Sequence, residues 1–169
     1  MAHHRGLTAL EVLGVAIKSE IEAAALYARM ADQVGNASLV AKLNFLRQEE
    51  EKHRAILEDV YARQFPDVEL QLPAKSLVPV VDATALEGLT IPELFQLAMK
   101  AEQISADFYA QEADRSRDEI GRTVLRYLSN VEHSHYKMLE TEFELGARFP
   151  DYYNVDEFHL GDEMVHVGP

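Results

Sequence analysis

The sequence predicts an all-α domain, a bundle of four long helices made of two hairpins with one long crossover between them. Three observations carry that expectation. When the chain is shifted by 82 positions, residues 6–64 lie over residues 88–146 without a gap, with 18 of 59 positions identical. The chain is therefore built from two copies of one unit. Within each copy apolar residues recur at alternating three- and four-residue steps, the spacing of an amphipathic helix. Between the copies, residues 65–87 carry Pro66, Pro73 and Pro79 and show no helical period.

Each copy opens on Gly-Leu-Thr-x-x-Glu: Gly6, Leu7, Thr8 and Glu11 in the first, Gly88, Leu89, Thr90 and Glu93 in the second. Thr followed three residues later by Glu is a capping box, so a helix starts at each place. Pro92 suits the first turn of the second of these, where a backbone N–H has no partner to lose. The first helix carries Leu10, Leu13, Ile17, Ala24, Ala31 and Val34 on one stripe and breaks at Gly35-Asn36. The second runs from about Ser38 to Gln64 with Leu39, Leu43, Leu46, Leu57 and Val60, and Pro66 closes it. The third carries Phe95, Met99, Ala106 and Ala113, and the fourth Leu125, Leu128 and Leu139. Ser116 with Glu119 reads as a further capping box between them. Gly146 and Pro150 mark the end of the fourth helix.

Short turns inside each copy make two antiparallel hairpins. The link at 65–87 is long enough to travel the length of the bundle, which favours a crossover; an up-down-up-down bundle would need only a short one. The bundle is thus expected over residues 1–146, with repeat halves 6–64 and 88–146 and crossover 65–87. Residues 147–169 follow as an acidic C-terminal tail.

Composition narrows the function. With 16 Lys+Arg against 29 Asp+Glu in 169 residues, the formal charge is −13. No basic face for nucleic acid is visible. No apolar run approaches a membrane span and no secretory signal opens the sequence, so the expected compartment is the cytoplasm, with no membrane partner. The absence of cysteine excludes disulfides, thiolate metal sites and iron–sulfur centres in these residues. His3 and His4 read as part of a terminus rather than a site.

The chemistry lies where polar residues interrupt the apolar stripes. The series passes through Glu20 and Tyr27 in the first helix, Glu50 and His53 in the second, Glu102 and Tyr109 in the third, and Glu132 and His135 in the fourth. Each pair of the first copy maps onto one of the second. A carboxylate on a core-facing stripe must be neutralised, paired or metal-bound. Four of them repel one another, and two divalent cations would match their charge. Glu50-x-x-His53 and Glu132-x-x-His135 each place an oxygen and a nitrogen one turn apart on one helix face. Glu20 precedes Glu50, and Glu102 precedes Glu132, by the same interval, which sets each lone Glu level with its partner motif in a hairpin. This Glu plus Glu-x-x-His pattern is a known signature of dinuclear carboxylate centres. Carboxylate and imidazole without thiolate suit iron or manganese, with zinc a competitor. Tyr27 and Tyr109 either hydrogen-bond a ligating carboxylate from another helix or simply fill core space. Glu49, Glu51, Glu58 and Glu140 read as solvated surface, and His133 faces away from the site. In the tail, Glu157, His159, Asp162, Glu163 and His166 read either as a peripheral metal site or, by preference, as a docked or partly ordered acidic segment.

On Glu20, Glu50, His53, Glu102, Glu132 and His135, residues 6–146 resemble the rubrerythrin branch of the ferritin-like superfamily. The resemblance implies a ferritin-like bundle holding two irons, with Glu50 and Glu132 bridging. Glu20 and His53 would complete one iron, and Glu102 and His135 the other. It also implies reaction with peroxide or dioxygen, and a homo-oligomer, with a dimer favoured. Full rubrerythrins carry a cysteine-ligated iron domain, and this sequence has no cysteine, so an external electron donor is implied. Family members often have an extra Glu one turn from the third-helix ligand; here Ala98, Met99, Ser105 and Ala106 occupy those neighbouring positions. The same six residues also resemble bacterioferritin, an iron-storage protein, but Glu51 stands where that family has its haem-ligating Met, so no haem is expected.

The expectation is a di-iron redox enzyme reducing hydrogen peroxide or dioxygen. The alternative is a ferroxidase that handles or stores iron. A bundle with a structural or zinc ion and an interaction role is a third class.

Overall fold

A computed structural model of the chain describes residues 7–74, 78, 86, 88–116, 119–149 and 151–152. The described residues form four helices and no strand: α1 (Ala9–Gln33), α2 (Ala37–Gln64), α3 (Ile91–Arg115) and α4 (Glu119–Arg148). These are the four helices that the apolar spacing predicts, with α4 extending past Gly146 to Arg148.

The helix starts follow the capping logic. Glu11 Oε2 accepts from both the backbone N–H and the hydroxyl of Thr8 at 2.8 Å, and Thr8 Oγ1 accepts from Glu11 N at 3.3 Å. Glu93 Oε2 accepts in the same way from the N–H and hydroxyl of Thr90, at 2.8 and 2.7 Å. Before α3 the chain turns through Gly88 at φ +79°, a conformation that a side chain would strain. Asn36 caps α2, its side-chain oxygen accepting from Leu39 N at 2.9 Å. Ser116 closes α3 with its N–H on Glu112 O. The capping box read at Ser116 and Glu119 spans residues 117–118, which lie outside the described residues.

α1 packs along α2 and α3 along α4, and the two hairpins approach each other chiefly through α1 and α4. The core falls into two apolar layers. One contains Leu13 and Ile17 of α1, Leu57 and Tyr61 of α2, Tyr109 and Ala113 of α3, and Leu125 and Leu128 of α4. The other contains Leu26 and Met30 of α1, Leu39, Leu43 and Leu46 of α2, Leu94, Phe95 and Ala98 of α3, and Leu139 of α4. α2 therefore ends, and α3 begins, at opposite ends of the bundle. The link joins them: Val78 is buried in the first layer and Leu86 in the second. This is the ferritin-like crossover, not an up-down-up-down connection.

The link also explains a burial that the stripe reading understates. Residues 12–17 of α1, from Val12 to Ile17, are all buried, not only Leu13 and Ile17. An all-round apolar helix needs cover on more than one side, and the link supplies it: a Cβ placed on Gly14 would sit 3.4 Å from Gln71 O. The start of the link is pinned by the Tyr61 hydroxyl, which donates to Glu69 O at 3.2 Å. Among the other stripe residues, Leu10, Ala24, Ala31, Val34, Val60 and Met99 are half-buried. Among the described residues, no helix is long and apolar enough to cross a membrane.

Candidate metal centre

Between the two apolar layers lies a polar one. Glu20 on α1, Glu50 and His53 on α2, Glu102 on α3, and Glu132 and His135 on α4 are all buried, none more than 7% exposed. The structure brings together all six residues singled out by their spacing. Helix geometry does the local work, since residues three apart project from one face, so each Glu-x-x-His offers both donors inward.

His135 Nδ1 lies 3.0 Å from Glu50 Oε1, 3.7 Å from Glu102 Oε2 and 3.7 Å from Glu132 Oε2. His53 Nδ1 lies 3.3 Å from Glu50 Oε2 and 3.6 Å from Glu20 Oε2. The two imidazoles stack at 5.6 Å between centroids with 24° between planes. The potential ligand atoms fall into two groups, each within 4.8 Å: Glu20, Glu50 and His53 in one, Glu50, Glu102, Glu132 and His135 in the other. Glu50 belongs to both, while Glu132 joins only the second.

The charges are correspondingly uneven. Burial raises Glu20 well above the usual carboxylate range, and the nearby Glu50 and Glu102 carboxylates add to the rise. Glu132 is raised by burial and by Glu102. For Glu50, burial also pushes upward, but the His135 and His53 imidazoles beside it prevail and bring it down to about 2. For His135, burial favours the neutral ring, yet Glu102, Glu132 and Glu50 together drive its pKa far upward.

The tyrosines cap this layer from opposite sides. Tyr27 belongs to the second apolar layer and donates its hydroxyl to Glu102 Oε1 on α3. It thus makes the contact to a carboxylate of another helix. Tyr109 belongs to the first layer, where its hydroxyl is buried beside Ser19 and donates to no carboxylate. Burial, together with carboxylates nearby, raises both phenols well above their ordinary value.

The residues fit a pair of divalent cations. Both Glu20 oxygens are buried with no hydrogen bond, and Glu50 Oε1 and His135 Nδ1, though only 3.0 Å apart, are not aligned for one. Buried carboxylate oxygens facing one another cost free energy unless something electropositive sits among them. Carboxylate oxygens with imidazole nitrogens and no sulfur are the donor set of iron or manganese.

Other residues fall as follows. His133 is exposed and stacks on Tyr136, away from the site. Glu51 is exposed, but Glu49, expected to be solvated, is only 26% exposed and lies one turn before His53. Tyr127, which meets the His53 ring edge-on at 6.5 Å, escaped the stripe reading because it is itself half-exposed. A signal for it exists in the repeat: an aromatic residue stands eight positions before each site histidine, Phe45 before His53 and Tyr127 before His135. Buried Ser19 also went unread, because its counterpart in the second copy is Ala101. His3, His4, Glu157, His159, Asp162, Glu163 and His166 lie outside the described residues.

Comparisons with known proteins agree with this geometry. The sequence model of the rubrerythrin family matches residues 11–143. A solved structure described as a hypothetical protein from Pyrococcus furiosus is similar to this chain at 34% identity and a TM-score of 0.70. The match covers 86% of this chain and 94% of that one. No curated protein matches.

Proposed function

The chain belongs to the rubrerythrin family, and from that premise we propose that it is a non-haem di-iron redox protein that reduces hydrogen peroxide or dioxygen. One observation carries the reading. Four carboxylates and two imidazoles converge in a buried layer, with several of their acceptor atoms unsatisfied. Bound there, two ferrous ions would supply one electron each to the oxidant.

The chain's own residues supply the rest. Glu20 and His53 would hold one ion, Glu102 and His135 the other. Glu50, within reach of both groups, and Glu132 would lie between them. Tyr27 donates to Glu102 and fixes the orientation of that carboxylate. The apolar layers on either side exclude bulk water, and both tyrosines face the polar layer from them. Metal-free, Glu20 and Glu132 keep their protons to higher pH than ordinary carboxyl groups, because of burial and neighbouring carboxylates, and binding cations would favour their release. With no cysteine in the sequence, the returning electrons come from a donor outside this bundle.

The test is anaerobic loading with ferrous iron, then rapid mixing with peroxide or with dioxygen on the same sample. Oxidation faster with peroxide is the expected result. Faster oxidation by dioxygen with repeated uptake of added iron would replace this reading with ferroxidase and storage. Bound metal that neither oxidant alters would leave a structural ion.

A further inference from the structure

The polar layer is not equally closed on all sides. Toward α1 and α3 it is sealed, with Glu20, Tyr27, Glu102 and Tyr109 all at 3% exposure or less. Toward α2 and α4 the two stacked imidazoles come nearest to solvent. Two strips spaced four residues apart run along this seam: Phe45, Glu49 and His53 on α2, and Tyr127, Val131 and His135 on α4. Phe45 and Tyr127 are large, apolar and nearly half-exposed, and the edge of Tyr127 rests on His53. Glu49 is the one carboxylate on either strip, since Val131 takes its place in the second copy. It pairs with exposed Lys52 and lies within the field of both site histidines.

We propose that the seam between α2 and α4 is the route by which divalent cations reach the buried layer. In this route Glu49 is the carboxylate that first takes the ion from solvent, and the Tyr127 ring is the flap over His53. The inference rests on the metal-binding reading above.

A hydrated cation cannot cross apolar side chains unaided, because stripping its water costs many kcal/mol. A partly exposed carboxylate one helical turn from an imidazole lets water be exchanged for protein ligands in steps. It also concentrates cations at the mouth of the seam. Lys52 is no obstacle, since a solvent-screened ion pair of this kind is weak and readily exchanged. Tyr127, half in solvent, can swing aside on the timescale of exposed side chains.

The full metal-free chain would be mixed anaerobically with cobalt(II). Loading would be followed by its visible absorption and final content by metal analysis. Glu49→Gln keeps the side chain's size and should slow loading about tenfold at low salt, with unchanged final content. Tyr127→Ala should speed both loading and removal by a chelator. Glu58→Gln, an acid on the same helix two turns further on, should load at the parental rate. Parental loading by Glu49→Gln at full content overturns the proposal. Failure of the parent chain to take up cobalt at all would instead overturn the metal-binding reading on which it rests.

Discussion

Glu50 lies between two imidazoles, with His135 Nδ1 at 3.0 Å and His53 Nδ1 at 3.3 Å, whereas Glu132, its counterpart in the second copy, has His135 at 3.7 Å and the Glu102 carboxylate beside it. The first is held at about 2 and the second is pushed well above the usual range. A similar contrast separates the tyrosines. Tyr27 finds Glu102, but Tyr109 has Ser19 beside it and no carboxylate, and neither oxygen of Glu20, the residue that corresponds to Glu102, is hydrogen-bonded. The repeat sets where each side chain stands; the charges around it set its protonation. Two imidazoles can neutralise at most two of four buried carboxylates, so without cations the layer must be unequal. A pair of divalent cations would remove the reason for the inequality.

Removing ligands should break the comparison most strongly. Glu50 reaches both groups, so Glu50→Ala should take bound metal from about two ions per chain to well below one. Glu132→Ala should leave about one, and His135→Ala should also lower metal content. Metal analysis after dialysis, with circular dichroism to show that the helices remain, decides it. Equal losses in Glu50→Ala and Glu132→Ala would show that the two carboxylates act alike once cations are bound.

The pH dependence of stability comes next. In the folded metal-free chain Glu20 and Glu132 hold protons above 4.5, the value from which they are raised, while the unfolded chain releases them there. Stability from these groups is therefore present below pH 4.5 and lost as pH rises above it. His135, raised from 6.5, acts in the same direction above that pH. Glu50 acts oppositely, its contribution being lost as pH falls from 4.5 toward 2. The melting temperature of the metal-free chain should fall between pH 5 and pH 8. Saturating metal, at about a thousandfold excess over its dissociation constant, should restore about 4 kcal/mol. Because binding releases protons, that gain should grow with pH. A metal-free melting temperature that rises across this range would contradict the protonation of Glu20 and Glu132.

Much of this was legible in the chain itself, because side chains that share one buried layer of a helical bundle recur at fixed spacings. Two Glu-x-x-His motifs, two preceding Glu residues and the 82-residue shift located all six buried polar residues of the layer. The long proline-bearing link gave the crossover. What periodicity could not give was the second buried face of α1. That face depends on where residues 71–73 of the link pass, a tertiary event with no local signature. The inequality of Glu50 and Glu132 was equally invisible, because identical residues in identical motifs differ only through neighbours from other helices. Glu49 shows the limit at the surface: its sequence position suggests solvent, yet its side chain is half-buried, which periodicity along α2 alone does not reveal.

The tyrosine pair sharpens the comparison at smaller energies. Tyr27→Phe leaves a buried carboxylate without its donor and should destabilise the metal-free chain by about 1–3 kcal/mol. Tyr109→Phe removes a hydroxyl whose neighbour is the neutral Ser19 and not a carboxylate, and should cost less than Tyr27→Phe. Chemical denaturation of the two variants measures both. A loss in Tyr109→Phe equal to that in Tyr27→Phe would mean that the Tyr109 hydroxyl also holds a carboxylate, and that the two sides of the layer are alike.

The smallest effect is the one that isolates the cause. Thr8 and Thr90 start α1 and α3 with matching donations to Glu11 and Glu93, far along each helix from the polar layer, and Thr8 Oγ1 adds only a 3.3 Å contact from Glu11 N. Each should contribute about 1 kcal/mol, so Thr8→Ala and Thr90→Ala should lower stability by nearly equal amounts. Equal losses at the caps, beside unequal ones at the tyrosines, would place the inequality in the charges of the buried layer. A clear difference between the caps would place it instead in the helices themselves, since α1 has the link packed across Gly14. Repeating both denaturation series with metal bound then separates the two causes. An inequality made by charge should shrink when cations fill the layer, and one made by helix packing should persist.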